Sequence, residues 1–364
     1  MKNTLGYNVA VTVFGESHGN AIGAIIDGLP AGITVNEEFI SHQLDLRRPF
    51  GKISTPRKES DKFEIESGVF NGKTTGTPIC ILIKNENTKS QDYSSTYGIA
   101  RPGHADFTAF SKYNACEDYR GGGHFSGRIT AGIVSAGAIA IDTLNKKGIM
   151  LGTHIKKCAG VEDVDFTDYK KDINLLNNKI FATLDDLKGE EMIKNIEKAA
   201  SDNDSVGGVL ETVVTGLPVG IGEPWFDSVE SMLSHALFSI PAIKGVEFGC
   251  GFSCADMFGS EMNDEFFIED GEVKTKTNNN GGINGGITNG MPITFRCAVK
   301  PTPSISKEQQ TVNFKTNENT VIAIKGRHDP CIVHRARVVV DSITAIVLCD
   351  MLSQKFGTDW LGEN

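Results

Sequence analysis

Four short clusters in this chain, three joining glycine, histidine and a charged group and one purely basic, supply what proton transfer beside an anion requires. The first is Gly15-Glu16-Ser17-His18-Gly19, where small neighbours leave an imidazole unobstructed, able to donate or accept a proton near neutral pH. The second is Arg101-Pro102-Gly103-His104-Ala105-Asp106, followed by Tyr119-Arg120-Gly121-Gly122-Gly123-His124-Phe125-Ser126-Gly127-Arg128. Three glycines opening a helix would present free amides at the positive end of its dipole, suited to phosphate or carboxylate. Arg128 in the first turn runs against that dipole, and a cation so placed points to a bound anion. The third is the basic run Arg47, Arg48, Lys52, Arg57 and Lys58, which focuses positive potential in a chain of net charge −10. The fourth is Lys325-Gly326-Arg327-His328-Asp329-Pro330-Cys331, with Lys300-Pro301-Thr302-Pro303-Ser304 upstream as a further cation with hydroxyls. Each cluster alone also reads as a solvated turn or charged face. Together they point to metal-free chemistry on a polyanionic metabolite.

Strands and helices must hold these clusters. Val9 to Phe14 and Ala21 to Ile26 read as paired strands, with the Glu16–Gly19 turn between them. Asn36 is a helix N-cap, with Glu37 and Glu38 in the first turn; Arg47 and Arg48 end that helix and Pro49 stops it. Phe63 to Phe70, the turn Asn71-Gly72 and Thr77 to Lys84 read as a hairpin. Gly127 to Lys147 reads as a long helix, smooth with Ala, Gly and Ile. The stretch 156–204 is charged and irregular, a peripheral excursion with a helix near Glu190 to Ala200. A helix follows over Val229 to Phe238, then strands near Val246 to Phe248, Ile293 to Val299 and Val321 to Lys325. A final helix runs from about Arg335 to Phe356. Asn278 to Gly286 is an Asn/Gly loop that can be a flexible surface or a bare-backbone approach to a ligand. Without a strict βαβ rhythm, the class expected is α+β, as a single large domain.

Composition narrows the function. The chain has 364 residues, 40 of them Gly, and 36 Lys+Arg against 46 Asp+Glu. An acidic chain argues against a general nucleic-acid or anionic-membrane surface. No run reaches the ~18 apolar residues of a membrane span, and the first residues do not read as a secretory signal. Neither GxxxxGK[ST] nor GxGxxG occurs. Eight scattered Cys lack a zinc-site spacing and read as reduced, buried thiols of a cytoplasmic protein.

Taken together, the clusters resemble the chorismate synthase family. Gly15 to Gly19 continuing to Asp27-Gly28-Leu29-Pro30-Ala31 is similar to its first signature, Gly122 to Arg128 with Ile129-Thr130-Ala131 to its second, and Gly326 to Cys331 opens its third. Ser90-Gln91-Asp92-Tyr93, Arg101 to Asp106, Gly245-Val246-Glu247 and Lys300 to Thr302 follow in the family's order. The resemblance implies a β-α-β sandwich assembled as a homotetramer, and an anti-1,4-elimination of phosphate from 5-enolpyruvylshikimate 3-phosphate that yields chorismate. It implies reduced FMN as cofactor with no net redox change, NADPH acting only indirectly through an external source of reduced flavin.

By the same resemblance His18 protonates the departing phosphate, His104 keeps the reduced flavin correctly protonated, and Asp329 accepts a proton from the flavin. Ser17 and Ser126 support the hydrogen-bond network. His124, Phe125, Ser126, Gly285, Lys300, Pro301, Thr302, Pro303, Ser304 and Arg327 would contact flavin. Arg47, Arg48 and Arg128 would grip the substrate's anionic groups, Arg47 also being matched to pyridine-nucleotide binding. The chain departs from the commoner pattern at Leu46, Phe50, Lys52, Val338, Asp341 and Pro241. Two alternatives stand beside this reading: a flavin-binding relative without lyase activity, and a bifunctional form that reduces its own flavin.

Overall fold

The computed structural model describes residues 2–55, 60–86, 97–324 and 329–363. Three strands, β1 (Thr4–Leu5), β2 (Ala10–Gly15) and β3 (Ala21–Asp27), form an antiparallel meander in which Gly15 stands opposite Ile22. Helix α1 (Glu37–Arg47) begins as expected: the Asn36 side chain accepts the Phe39 N–H at 3.0 Å, and Arg47 occupies the last turn. Strand β4 (Phe63–Ser67) follows. The Asn71-Gly72 turn then closes only a short hairpin of β5 (Val69–Phe70) and β6 (Lys73–Thr74), both turn residues having positive φ. Strand β7 (Ile79–Lys84) returns between β3 and β4, so the first sheet runs β1-β2-β3-β7-β4.

Helix α2 (Asp106–Lys112), an irregular segment over Arg120–Phe125 and a 3₁₀ turn at Gly127–Ile129 lead into α3 (Thr130–Lys146). The stretch Gly127–Lys146 is long and apolar enough to pass for a membrane span, yet it is buried inside the protein as a core helix. Its glycines explain the close fit: a Cβ on Gly132 would lie 2.6 Å from the Gly23 carbonyl oxygen, and one on Gly137 would lie 2.2 Å from the Ser342 Cβ.

The second half builds another sheet. Strands β8 (Met150–Cys158) and β9 (Val161–Glu162) precede α4 (Tyr169–Leu176) and α5 (Asp186–Ser201); then come β10 (Gly208–Thr215), α6 (Val229–Leu237) and β11 (Ile243–Phe248). A short α7 (Gly259–Met262) is followed by the hairpins β12–β13 (Phe266–Glu269, Glu272–Thr275) and β14–β15 (Ile283–Asn284, Ile287–Thr288). Strand β16 (Ile293–Val299), the hairpin β17–β18 (Gln309–Asn313, Glu318–Ile322) and α8 (Val333–Phe356) complete the chain. The antiparallel order is β11-β16-β10-β8-β9. Residues 156–204 therefore start inside a sheet strand and carry two helices, not one. Ile173, Leu176, Met192 and Ile196 of those helices are fully buried.

Helix α3 lies on the first sheet, α8 on the second, and the two helices pack against each other. The core runs through all four layers' contacts. Helix α8 is buried from Val333 to Ser353 apart from Arg335, and several of its buried polar groups find partners, although His334 Nδ1 and Arg337 Nε have none among the described residues. Asp341 accepts from Thr153 Oγ1 at 2.6 Å and Arg337 Nη1 at 3.2 Å, while Arg337 Nη2 donates to the Lys179 carbonyl at 2.7 Å. Near its end, the Asp350 carboxylate accepts the backbone N–H groups of Tyr7, Asn8 and Val9 at 3.0, 2.7 and 3.0 Å. All eight cysteines are free; Cys158, Cys297, Cys331 and Cys349 are buried, whereas Cys116 and Cys254 are exposed, against the expectation of buried thiols throughout.

Candidate active site

The β2–β3 connection carries Ser17 and His18, both buried. Ser17 N–H donates to the Gly123 carbonyl at 3.0 Å, and Ser17 Oγ lies 3.2 Å from His18 Nδ1. The facing turn, Gly121-Gly122-Gly123, has φ of 60°, 85° and 53°, a left-handed run that side-chained residues avoid. A Cβ on Gly121 would stand 2.2 Å from His18 Cε1, and one on Gly122 would stand 3.3 Å from both Cε1 and Nε2 of His104. Two successive peptide units thus back both imidazoles. This corrects the reading of the glycines as a helix N-terminus: α3 starts only at Thr130, and Ser126 Oγ caps the intervening turn by accepting the Arg128 N–H at 3.2 Å. The glycines are needed for clearance rather than for free amides.

His104 is held from its other side. Its Nδ1 lies 2.8 Å from Asp106 Oδ1, and Arg101 clamps Asp106 through Nη2 to Oδ1 at 2.6 Å and Nε to Oδ2 at 2.8 Å. Burial disfavours charge on Asp106, but hydrogen bonds from Arg101 and His104 outweigh it and keep the carboxyl well below the usual range. Lys300 Nζ donates to the Gly103 carbonyl at 2.5 Å, and a Cβ on Gly103 would lie 3.5 Å from Pro303 Cβ. The Lys300–Ser304 segment therefore joins the His104 side. Thr302 Oγ1 is buried there without a hydrogen-bond partner among the described residues.

The cations form a third part. Arg47 and Arg128, both buried, share one carboxylate, Asp61, which accepts from Nη1 of each. Arg47 also donates to Thr130 Oγ1 at 2.9 Å and the Gly127 carbonyl at 2.8 Å. Arg128 Nε donates to Asn85 Oδ1 at 3.0 Å, and the Asn85 amide donates to the Glu16 and Gly19 carbonyls, tying this cluster to the His18 turn. Arg335 Nε donates to the Arg47 carbonyl at 2.9 Å and its Nη1 to Asp329 Oδ2 at 2.8 Å; the other Asp329 oxygen accepts the Thr55 N–H at 2.8 Å. Burial first, then Arg335, pulls the Arg47 guanidinium down to about 9, with Asp61 opposing. Among the described residues, the guanidiniums of Arg47, Arg128 and Arg335 meet the carboxylates of Asp61 and Asp329. Arg128, expected to serve a bound anion, is already paired with the buried Asp61 carboxylate. Arg48 reaches Asp45 and the Ser60 carbonyl, while Lys52 is exposed.

Beside these, His124 Nδ1 lies 2.8 Å from the Gly15 carbonyl oxygen, so it carries the proton. Phe125 is partly exposed, edge-on to Tyr113 at 6.0 Å. Pro301 is exposed beside Gly207, and Ser304 is half-buried. Gly285 sits apart at the tip of β14–β15, with open space around its Cα; its neighbour Gly286 packs on Glu223 and Ser228. Arg327, Arg57, Lys58 and Ser90 to Tyr93 lie outside the described residues. Asp61, Asn85 and Arg335 are the participants that sequence reasoning missed. Only the left-over positive charge of the basic run hinted that a buried acid must exist.

A sequence model of the chorismate synthase family matches residues 9–353. A chorismate synthase of Dehalococcoides mccartyi is 48% identical over 353 residues, covering 96% of either chain. One from Methanocaldococcus jannaschii is 49% identical over 369 residues, covering 97% of this chain and 96% of its own. A crystal structure of a chorismate synthase superposes with a TM-score of 0.77 at 31% identity, covering 97% of this chain and 94% of that one.

Proposed function

The chain belongs to the chorismate synthase family and carries its lyase activity in the shikimate pathway; from that premise we propose that the two-histidine turn and the arginine cluster are the place where it acts. The substrate, 5-enolpyruvylshikimate 3-phosphate, brings a phosphate and two carboxylates. The observation that carries this reading is the convergence of two buried guanidiniums, Arg47 and Arg128, on Asp61, tied through Asn85 to the His18 turn, which sets anion-binding groups beside a proton carrier. Arg47 and Arg128 bind and orient the substrate's anionic groups, and Arg48 borders them. His18, backed by Gly121 and joined to Ser17, holds the proton that the leaving phosphate needs as the carbon–oxygen bond breaks.

The residues fit a flavin as well. Thr302 Oγ1 is buried without a partner among the described residues, and Phe125 offers a partly exposed ring. His124, Phe125, Ser126 and Lys300 to Ser304 would hold reduced FMN, with Gly285 and Arg327 added from the family pattern. When bound, it supplies the electron-rich ring on which the otherwise unreactive C–H bond depends, without net redox change. Asp329 takes one donor on each oxygen, which orients the carboxylate and leaves a lone pair on either oxygen to accept a proton.

We also read the two sheets with α3 and α8 between them as a single-domain β-α-β sandwich, and the enzyme as a cytoplasmic homotetramer fed by an external source of reduced flavin. The test is anaerobic turnover with chemically reduced FMN, following chorismate and phosphate together. Equal release of both over many turnovers supports the reading; flavin binding without product favours a relative that only binds. Turnover driven by NADPH and oxidised FMN alone overturns the external-reductant part. Light scattering at four times the 39.3 kDa chain mass tests the tetramer.

A further inference from the structure

The environment of His104 contains a choice that can be resolved. Its Nδ1 lies 2.8 Å from Asp106 Oδ1 and 3.0 Å from Arg101 Nη2. With the proton elsewhere, Nδ1 would accept from Arg101 while turning a lone pair toward a carboxylate oxygen. With the proton on Nδ1, it donates to that oxygen, and Arg101 Nη2, which has two N–H groups and donates one to the same Oδ1 at 2.6 Å, converges with it on one acceptor. The second arrangement has no repulsive contact between lone pairs. Arg101 braces the acid from three donors, the third being its own N–H to Oδ2 at 3.0 Å, so Asp106 has little freedom to turn away. The opposite edge of the ring, Cε1 and Nε2, is the one that meets Gly122.

We propose that Asp106, braced by Arg101, is a positioning residue that fixes His104 as the Nδ1–H tautomer and leaves Nε2 as its working nitrogen beside the glycine turn. The proposal rests on the reading of His104 as part of the site. The pair sets which proton the imidazole can offer: none from Nε2 in the neutral state, so His104 accepts there before it can donate. Ser17 and His18 lie across the same turn, so an acceptor and the proposed proton donor to phosphate share one backing.

The experiment uses the full-length enzyme with ¹⁵N-labelled histidine and needs no variant for its first result. In the neutral state the His104 Nδ1 must show the shift of a protonated ring nitrogen and Nε2 that of an unprotonated one; the reverse overturns the proposal outright. Asp106→Asn should then scramble or invert that tautomer and lower kcat by roughly 10²–10⁴-fold, with KM moving little, as for an acid that orients a histidine. Unchanged shifts with unchanged kcat, or lost kcat with the tautomer intact, overturn it. Arg101→Lys, which keeps a cation beside Asp106, should produce an intermediate tautomer mixture; no change would remove Arg101 from the device. His104→Gln separates the two readings. If it turns over normally, His104 is not part of the site, whatever tautomer the spectra show.

Discussion

Two histidines in this protein make the same first contact. His104, beside the first sheet, and His154, on β8 of the second, each place Nδ1 2.8 Å from an aspartate oxygen. They differ at the other nitrogen. His154 Nε2 lies 3.0 Å from Glu211 Oε2 across the strand pair, and its side chain has no exposure at all. Burial works against its charge, but the bonds to Asp163 and Glu211 outweigh that and raise its pKa. Asp163 is itself fixed by the N–H groups of Leu184 and Asp185. His104 instead turns its free edge to a glycine that has no side chain to cover it. A histidine–aspartate pair is therefore no sign of a site; a spare nitrogen with cleared space is.

The largest effect should come from breaking the closed pair. His154→Leu leaves Asp163 and Glu211 without their shared cation, at a cost of about 3–5 kcal/mol in urea unfolding. Turnover per folded molecule should stay unchanged; a fall in it would place His154 in the chemistry. The open side is attacked through its backing. Gly121→Ala forces a Cβ against His18 at positive φ and should lower kcat roughly 100-fold, as a displacement of about 1 Å does. Gly259→Ala, with nothing near its Cα and no positive φ, is the control that should read as wild type. Equal activities for the two variants would remove the steric argument.

The smallest effect per step is a slope against pH, and it sharpens the contrast by sign. His154 has a raised pKa in the folded state, so its contribution to stability is whole below about pH 6.5 and is lost as pH rises through the folded value. His334 is the reverse: burial first, then Arg335, pushes it down to about 3, and it stays neutral with Nε2 2.8 Å from Ser54 Oγ. Its contribution is whole above about pH 6.5 and falls by ~1.4 kcal/mol per pH unit on the way down toward 3. Stability against pH for wild type minus His154→Gln and wild type minus His334→Gln should slope in opposite directions. Parallel slopes would show that one of the two is wrongly charged here.

Much of the frame could be read from residues alone. Asn36 with Glu37 and Glu38 marks α1, and the Ala/Gly/Ile stretch marks α3, because caps and compositional runs act locally. Strand β8 escaped: the stretch from 156 reads as a peripheral excursion, yet Thr153, His154 and Lys156 are buried, the first bonded to Asp341 far along the chain and the other two to Asp163 and Asp165, nine residues on. The same limit hid the site's fixers. Asp61, Asn85 and Arg335 stand alone in unremarkable stretches, and only folding brings them to Arg47, Arg128 and Asp329. The glycine triplet was visible as a functional signal for the wrong reason, since composition marks small residues without saying what must fit beside them.

The Asp350 clamp sets a schedule for making the protein. The N–H groups of residues 7 to 9 find their acceptor only when the final helix exists, over 340 positions later. At ~5–20 residues per second, the N-terminal strands wait roughly 20–70 s on the ribosome with that loop unsecured. The first sheet can pair early, but its edge is locked only as synthesis nears residue 350. A nascent chain stopped short of that helix keeps an open N-terminal edge, which makes it a target for chaperones and proteases.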